Sequence, residues 1–238
     1  MLQTMSNVPR YAIYYLPPPG SALDRFGAAL LGYDVVSGED VPFPAEMLSA
    51  VPDWAAVTTD PRKYGFHATL KAPTALAPGL TEAELLWACA TFAETPRAIP
   101  VIEPVVQAIG SFIALVPAAA SEELAQLAAD CVRSFDNFRA PLSAEDRARR
   151  KPAQLTPRQV KYLDEWGYPY VMEEFRFHMT LTGSLPPARQ QELLGRLRKQ
   201  FAALDLQTLA IDRIAVCRQD SAGARFRSIG QFQLRPML

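Results

Sequence analysis

The 238-residue chain holds only two histidines, and both stand in the same setting, Phe-His-x-Thr-Leu. The first is His67 in "YGFHATLKAP" (64–73); the second is His178 in "FRFHMTLTGS" (175–184). Both runs have strand-like composition, and in a strand alternate side chains share a face. His67, Thr69 and Lys71 would then point one way, with Phe66, Ala68 and Leu70 opposite. In the second copy Arg176, His178, Thr180 and Thr182 share a face, with Phe177, Met179 and Leu181 opposite. The apolar set suits burial under helices. The other set gathers imidazole, hydroxyl and cationic groups, twice.

Two such faces brought together suit a phosphodiester. A neutral imidazole takes a proton from water while a protonated one donates to the leaving oxygen, each contributing about 10²–10⁴-fold. Histidine's ordinary pKa near 6.5 lets both forms coexist around neutrality. That predicts a bell-shaped pH profile near pH 7. Hydroxyls of Thr69 and Thr180 can donate to non-bridging oxygens as charge gathers there. Lys71 and Arg176 can add positive field, or stand solvated at strand ends. Tyr14 can offer a stacking surface for a base or sugar, although aromatics in a first strand commonly fill cores.

A metal centre is the rival use of paired imidazoles. It needs carboxylates on the histidine faces, and only Glu174 has the right parity, so the expectation is no metal and no cofactor. No P-loop, G-x-G-x-x-G or G-x-S-x-G motif occurs, which removes support for nucleotide-triphosphate, dinucleotide and serine-hydrolase readings. A cleft that binds phosphate esters without turnover stays open beside the enzyme.

The elements that must position these groups follow from pattern. "RYAIYYLP" (10–17) reads as a first strand. Ser21 caps a helix carrying Leu23, Phe26, Leu30 and Leu31. Residues 33–62 read as a long loop with helical pieces. Thr81 and Glu84 make a capping box for a helix carrying Leu85 and Cys89. Residues 99–117 read as two strands turning near Gly110. Ser121 opens another helix, 143–154 reads as an exposed helical end and linker, and Thr156-Pro157 starts the next helix. A helix through Leu193 and Phe201 and strands at 208–218 and 225–234 close the chain. After each histidine strand the order is helix, strand, strand. The expectation is a bilobal α+β fold with antiparallel or mixed sheets, lobes 1–118 and 119–238 facing across a cleft.

Composition sets outer limits. Apolar residues make up 49% and charged residues 21%, with a net charge of −1, so a long nucleic acid is not an expected partner. Three scattered cysteines, no apolar run of membrane length and no secretory signal in the opening residues point to a cytoplasmic protein.

The paired tetrads "HATL" (67–70) and "HMTL" (178–181), one per half, resemble the 2H phosphoesterase superfamily. The phrases "RKYGFHATLKAP", "WGYPYVMEEFRFHMTLTGSL" and "RYAIYYLPPPGS" are similar to one branch of it, bacterial proteins encoded among phosphonate-utilisation genes. The resemblance implies metal-independent chemistry on 2′,3′-cyclic phosphates, 2′,5′-linked oligonucleotides or related cyclic phosphodiesters. It implies His67 and His178 as the acid–base pair, with Thr69 and Thr180 holding phosphoryl oxygens. The substrate class it implies is a small phosphodiester or nucleotide-like molecule, a ribose cyclic phosphate among them. Action on RNA ends, opening or forming 2′,5′ linkages, is the alternative. Which histidine serves as base is open at this stage.

Overall fold

The computed structural model describes residues 8–237 and folds them as α+β. In chain order the elements are β1 (Arg10–Tyr15), α1 (Ala22–Leu31), α2 (Ala45–Ala50), α3 (Trp54–Val57), α4 (Thr59–Arg62), β2 (Ala68–Thr74) and α5 (Glu82–Glu94). Next come β3 (Val101–Ile102), β4 (Pro104–Ile109), β5 (Phe112–Pro117), α6 (Glu122–Ser134), α7 (Ala144–Arg149) and α8 (Pro157–Trp166). The last are β6 (Met179–Thr180), α9 (Pro187–Ala202), β7 (Leu209–Ala210), β8 (Arg213–Gln219) and β9 (Arg227–Gln233). No helix among the described residues is long and apolar enough to cross a membrane.

Seven strands form one sheet in the order β4-β5-β6-β2-β1-β8-β9, and every pairing is antiparallel. The centre is the contact between the two histidine strands, Ala68 opposite Met179. The order on either side exposes a repeat. One unit runs β1-α1-β2-α5-β3-β4 and the next β5-α6-β6-α9-β7-β8, leaving β9 as an added edge. The units exchange strands: β4 pairs with β5, and β8 pairs with β1. The short β3 and β7 also pair across units. The changeover is the tight turn at Gly110, whose φ of +54 favours glycine. The two histidine-bearing units meet at this turn, and their exchanged strands make one continuous sheet.

Local sequence explains the helices. Ser21, Ser121, Thr81 and Thr156 each accept a hydrogen bond from a first-turn amide, and Thr81–Glu84 and Thr156–Gln159 complete reciprocal capping boxes. Left-handed Gly32 and Gly167 end α1 and α8. Helices α1, α5, α6 and α9 bury their apolar stripes on one face of the sheet, where Tyr11, Ile13, Tyr15, Phe66, Leu70, Phe177, Met179 and Leu181 also point. The even-numbered residues of β1, Ala12 and Tyr14, turn to the other face with Leu16, beside Tyr33, Val35, Cys217 and Phe226. The period-two reading thus places helices behind the histidine strands and leaves the imidazole face open.

Candidate active site

Each histidine strand is entered by a helical insertion: 33–66 before β2 and 139–175 before β6. These insertions wall a cavity of about 730 Å³ over the imidazole face. His67, Thr69, His178 and Thr180 all line it, together with Tyr14, Tyr64, Arg10, Arg149, Arg150 and Tyr168.

The two histidines are held in the same way. His67 Nδ1 lies 2.8 Å from the Gly65 carbonyl oxygen, and His178 Nδ1 lies 2.8 Å from that of Arg176. A carbonyl only accepts, so Nδ1 carries the proton and donates in both rings. Nε2 is left as the working nitrogen. In His67 it meets the Thr69 hydroxyl at 3.2 Å, which donates to it when the imidazole is neutral.

The surroundings of the two rings differ. His67 stacks on the Tyr14 ring, with centroids 3.9 Å apart and planes 30° apart, and Tyr64 stands 6.1 Å away. Protein surrounds it except for a strip facing the cavity. This desolvation pulls its pKa down to about 4; the Gly65 carbonyl opposes the shift, and the charge of His178 adds to it. His178 has Phe112 at 5.8 Å, without a stacked partner of the Tyr14 kind. His67 is therefore neutral at pH 7, suited to accepting a proton.

Tyr14, offered from the sequence as a stacking surface for a base or sugar, lies against the His67 ring, fully buried and part of the small core cluster. Its phenol is pushed well above the ordinary range by burial, and its hydroxyl has no hydrogen-bond partner among the described residues.

Lys71 lines the cavity, but its charge is already paired. Between β1 and β2 the register slips, so that Thr69 faces Tyr14 but Lys71 faces Ile13, with Leu70 as the extra residue. Such a bulge breaks strict alternation. Lys71 is buried, and its Nζ donates to Val132 O at 3.1 Å and to Asp136 Oδ1 at 3.0 Å. Burial lowers its pKa against the pull of Asp136. Burial raises the Asp136 carboxyl, but the Arg139 hydrogen bond and the Lys71 charge outweigh that and leave it below its ordinary value. Lys71 borders the cavity only as part of this buried pair.

Arg176 does not line the cavity; its side chain is exposed. Alternation fails here because the second histidine strand is ladder-paired only at Met179–Thr180, and residues 172–174 form a 3₁₀ turn. What Arg176 supplies is its backbone carbonyl. Arg176→Ala is therefore expected to leave kcat/KM within about twofold, since every residue carries that carbonyl; steady-state kinetics check this. Thr182, placed by parity on the histidine face, is wholly buried and accepts from the Ile113 amide at 3.0 Å.

The segment read from sequence as an exposed helical end and linker is exposed, with α7 in it, and it also walls the site. Ser143, Glu145, Asp146, Arg149 and Arg150 line the cavity. A bidentate Arg147–Asp164 pair, at 2.7 and 3.1 Å, ties α7 to α8. The run "RARRK" was the available signal, and nothing local says which way a charged helix end faces.

An antiparallel α+β sheet with two units exchanging strands, and a cavity lined by one His-x-Thr pair from each, defines the class. The chain belongs to the family described as "Protein of unknown function (DUF1045)", whose model matches residues 69–227. It is 37% identical over 231 residues to a ribose 1,5-bisphosphate phosphokinase PhnN of Janthinobacterium sp. (strain Marseille), an alignment covering 92% of this chain and 49% of that protein. A protein of the same name from Laribacter hongkongensis (strain HLHK9) is 32% identical over 219 residues, covering 92% and 50%. The chain thus spans about half the length of the curated relatives it matches. Among solved structures it is similar to a conserved protein of unknown function from Agrobacterium tumefaciens (12% identity, TM-score 0.46, 95% of this chain and 87% of the other). It is also similar to E. coli LigT complexed with NADP+ (12% identity, TM-score 0.38, 97% and 99%).

Proposed function

We propose that this chain is a 2H-type phosphoesterase that opens a small cyclic phosphodiester by two-histidine acid–base catalysis, without a metal. The observation that carries the reading is the matched pair of imidazoles. Each has Nδ1 fixed 2.8 Å from a carbonyl two residues back and each stands in one cavity with its threonine.

The asymmetry of the two rings supports a division of labour. His67, neutral through desolvation, takes a proton from water as the water oxygen bonds to phosphorus. His178, as imidazolium, gives its proton to the ring oxygen as the P–O bond breaks. One water is consumed and a phosphomonoester with a free hydroxyl results. Thr69 and Thr180 donate to the non-bridging oxygens, where charge increases in the transition state. Thr69 turns its hydroxyl from His67 Nε2 to the phosphoryl group as substrate enters.

The relatives' name supports a ribose phosphate as the substrate class. A kinase needs a nucleotide-triphosphate site, and this sequence offers no P-loop, so the named phosphokinase activity fits the half of those proteins that this chain does not match. An enzyme joined to a ribose 1,5-bisphosphate kinase would sensibly produce or process a phosphorylated ribose, and a ribose cyclic phosphate meets both conditions. The three cysteines, buried and unpaired, suit a reducing, cytoplasmic setting.

The test is turnover followed by phosphorus NMR with EDTA present. The panel holds ribose 1,2-cyclic phosphate, a nucleoside 2′,3′-cyclic phosphate and a 2′,5′-dinucleotide. Ring opening of the ribose compound, unaffected by EDTA, supports the proposal. Turnover of the dinucleotide alone would shift the substrate to RNA ends. Activity lost to EDTA and restored by zinc would overturn the metal-free mechanism.

A further inference from the structure

The cavity is larger than the reaction requires. A five-membered cyclic phosphate fills a small part of about 730 Å³, a size usual for sites that enclose whole ligands. The charges lining it are also unevenly balanced. Glu145 and Asp146 are both paired with Arg149, and Lys71 and Arg139 share Asp136. Two guanidinium groups are left without a carboxylate partner among the described residues, Arg10 and Arg150. Arg10 donates to the uncharged Gln219 side chain, at 2.9 and 2.5 Å. Arg150 is half-buried, and among the described residues its guanidinium makes no hydrogen bond. It rests on the Tyr168 ring, 4.9 Å from its centroid.

That platform matters. Arg150 caps α7, where a cation commonly serves the helix end, but this guanidinium lies on an aromatic face of the cavity wall. The ring restricts its plane without using its N–H groups, which leaves a fixed fork of donors for a bidentate anion.

We propose that Arg150 on Tyr168, within the positive field to which Arg10 adds, forms a second anion subsite that takes a phosphomonoester. The substrate then carries two phosphates: the cyclic diester at the His67–His178 pair and a dianionic phosphate held by the 139–168 wall. This rests on the phosphoesterase reading and narrows its substrate to a cyclic phosphate of an already phosphorylated sugar. Arg150 is a specificity residue here, remote from the bond that breaks.

Calorimetry with ribose 1-phosphate and ribose 1,5-bisphosphate, in EDTA, separates the subsite from catalysis because neither ligand turns over. A charge-assisted bidentate contact is worth about 1.5–3 kcal/mol, so the wild type should bind the bisphosphate roughly 10–100-fold more tightly. Arg150→Gln should reduce that ratio to about threefold or less, and Arg150→Lys should keep part of it. Equal affinities in the wild type, a ratio that survives in Arg150→Gln, or no binding of either ligand would overturn the subsite. The same pair of proteins is then assayed on ribose 1,2-cyclic phosphate with and without a 5-phosphate. Turnover with no preference for the 5-phosphate would sink the subsite and leave the phosphoesterase reading standing. A bisphosphate preference with no turnover of any substrate would do the reverse.

Discussion

His67→Ala and His178→Ala should each lower kcat by about 10²–10⁴-fold while changing KM far less, because both groups act on protons in transit. The double variant should fall little below the worse single one, since the two histidines act in one step. The pH profile should then separate them. In kcat/KM, the acid limb reports the free enzyme's base, and with His67 held near 4 that limb lies well below the neutral bell expected from ordinary histidines. Replacing Tyr14 by Leu removes the stacked ring, admits water and should move the limb upward toward the ordinary imidazole value. An acid limb near 6.5 in the wild type would contradict the assignment of His67 as base.

The same depression appears in stability. Between about pH 6.5 and 4 the unfolded chain protonates this imidazole and the folded protein does not. The contribution is therefore fully present above pH 6.5 and is lost as pH falls toward 4, up to roughly 3 kcal/mol. His67→Asn cannot titrate, so the fall in Tm between pH 7 and 4.5 should be smaller in the variant. An identical fall in both proteins would show that the ring is not desolvated.

How much of this site was legible in the sequence depended on where period two held. Phe66, Ala68 and Leu70 and their counterparts Phe177, Met179 and Leu181 face the helix layer because each histidine lies where backbone geometry is still extended. One residue beyond, a bulge opposite Ile13 lets Lys71 pair with Asp136 at the cavity edge, which period two does not show. The rule failed for Arg176 because the chain is still leaving a 3₁₀ turn there. A bulge and a turn are settled by tertiary partners, Asp136 from the 3₁₀ turn after α6 being one. The repeat was visible as helix-strand-strand after each histidine, but exchange of β4 and β8 between units was not, because local pattern says nothing of which strand a strand joins. Arg10 reaches the cavity from β1, whereas Tyr64, Arg150 and Tyr168 are brought there only by the folded insertions.

A large loss from one small substitution is expected at Gly65, which ties fold to chemistry. Its φ of +72 is disfavoured by about 1–2 kcal/mol for any residue with a Cβ. A Cβ there would stand 2.4 Å from Val35 Cβ, a buried partner of Tyr14 and Phe226 in the small core. Overpacking of this kind costs about 1–3 kcal/mol more. Gly65→Ala should therefore destabilise by about 2–5 kcal/mol, or about 4–20 °C in Tm for a chain of this size. The carbonyl that orients His67 Nδ1 belongs to this same residue, so the strain reaches the ring. At a temperature where the variant is fully folded, kcat should still be reduced, because Nε2 is no longer fixed against Thr69 and the bound phosphate. Adding Val35→Gly removes the Cβ that the new methyl meets but leaves the dihedral strained, and should restore part of the kcat loss even though it opens a cavity in the core. A folded Gly65→Ala protein with wild-type kcat would show that the His67 carbonyl tether has no part in catalysis.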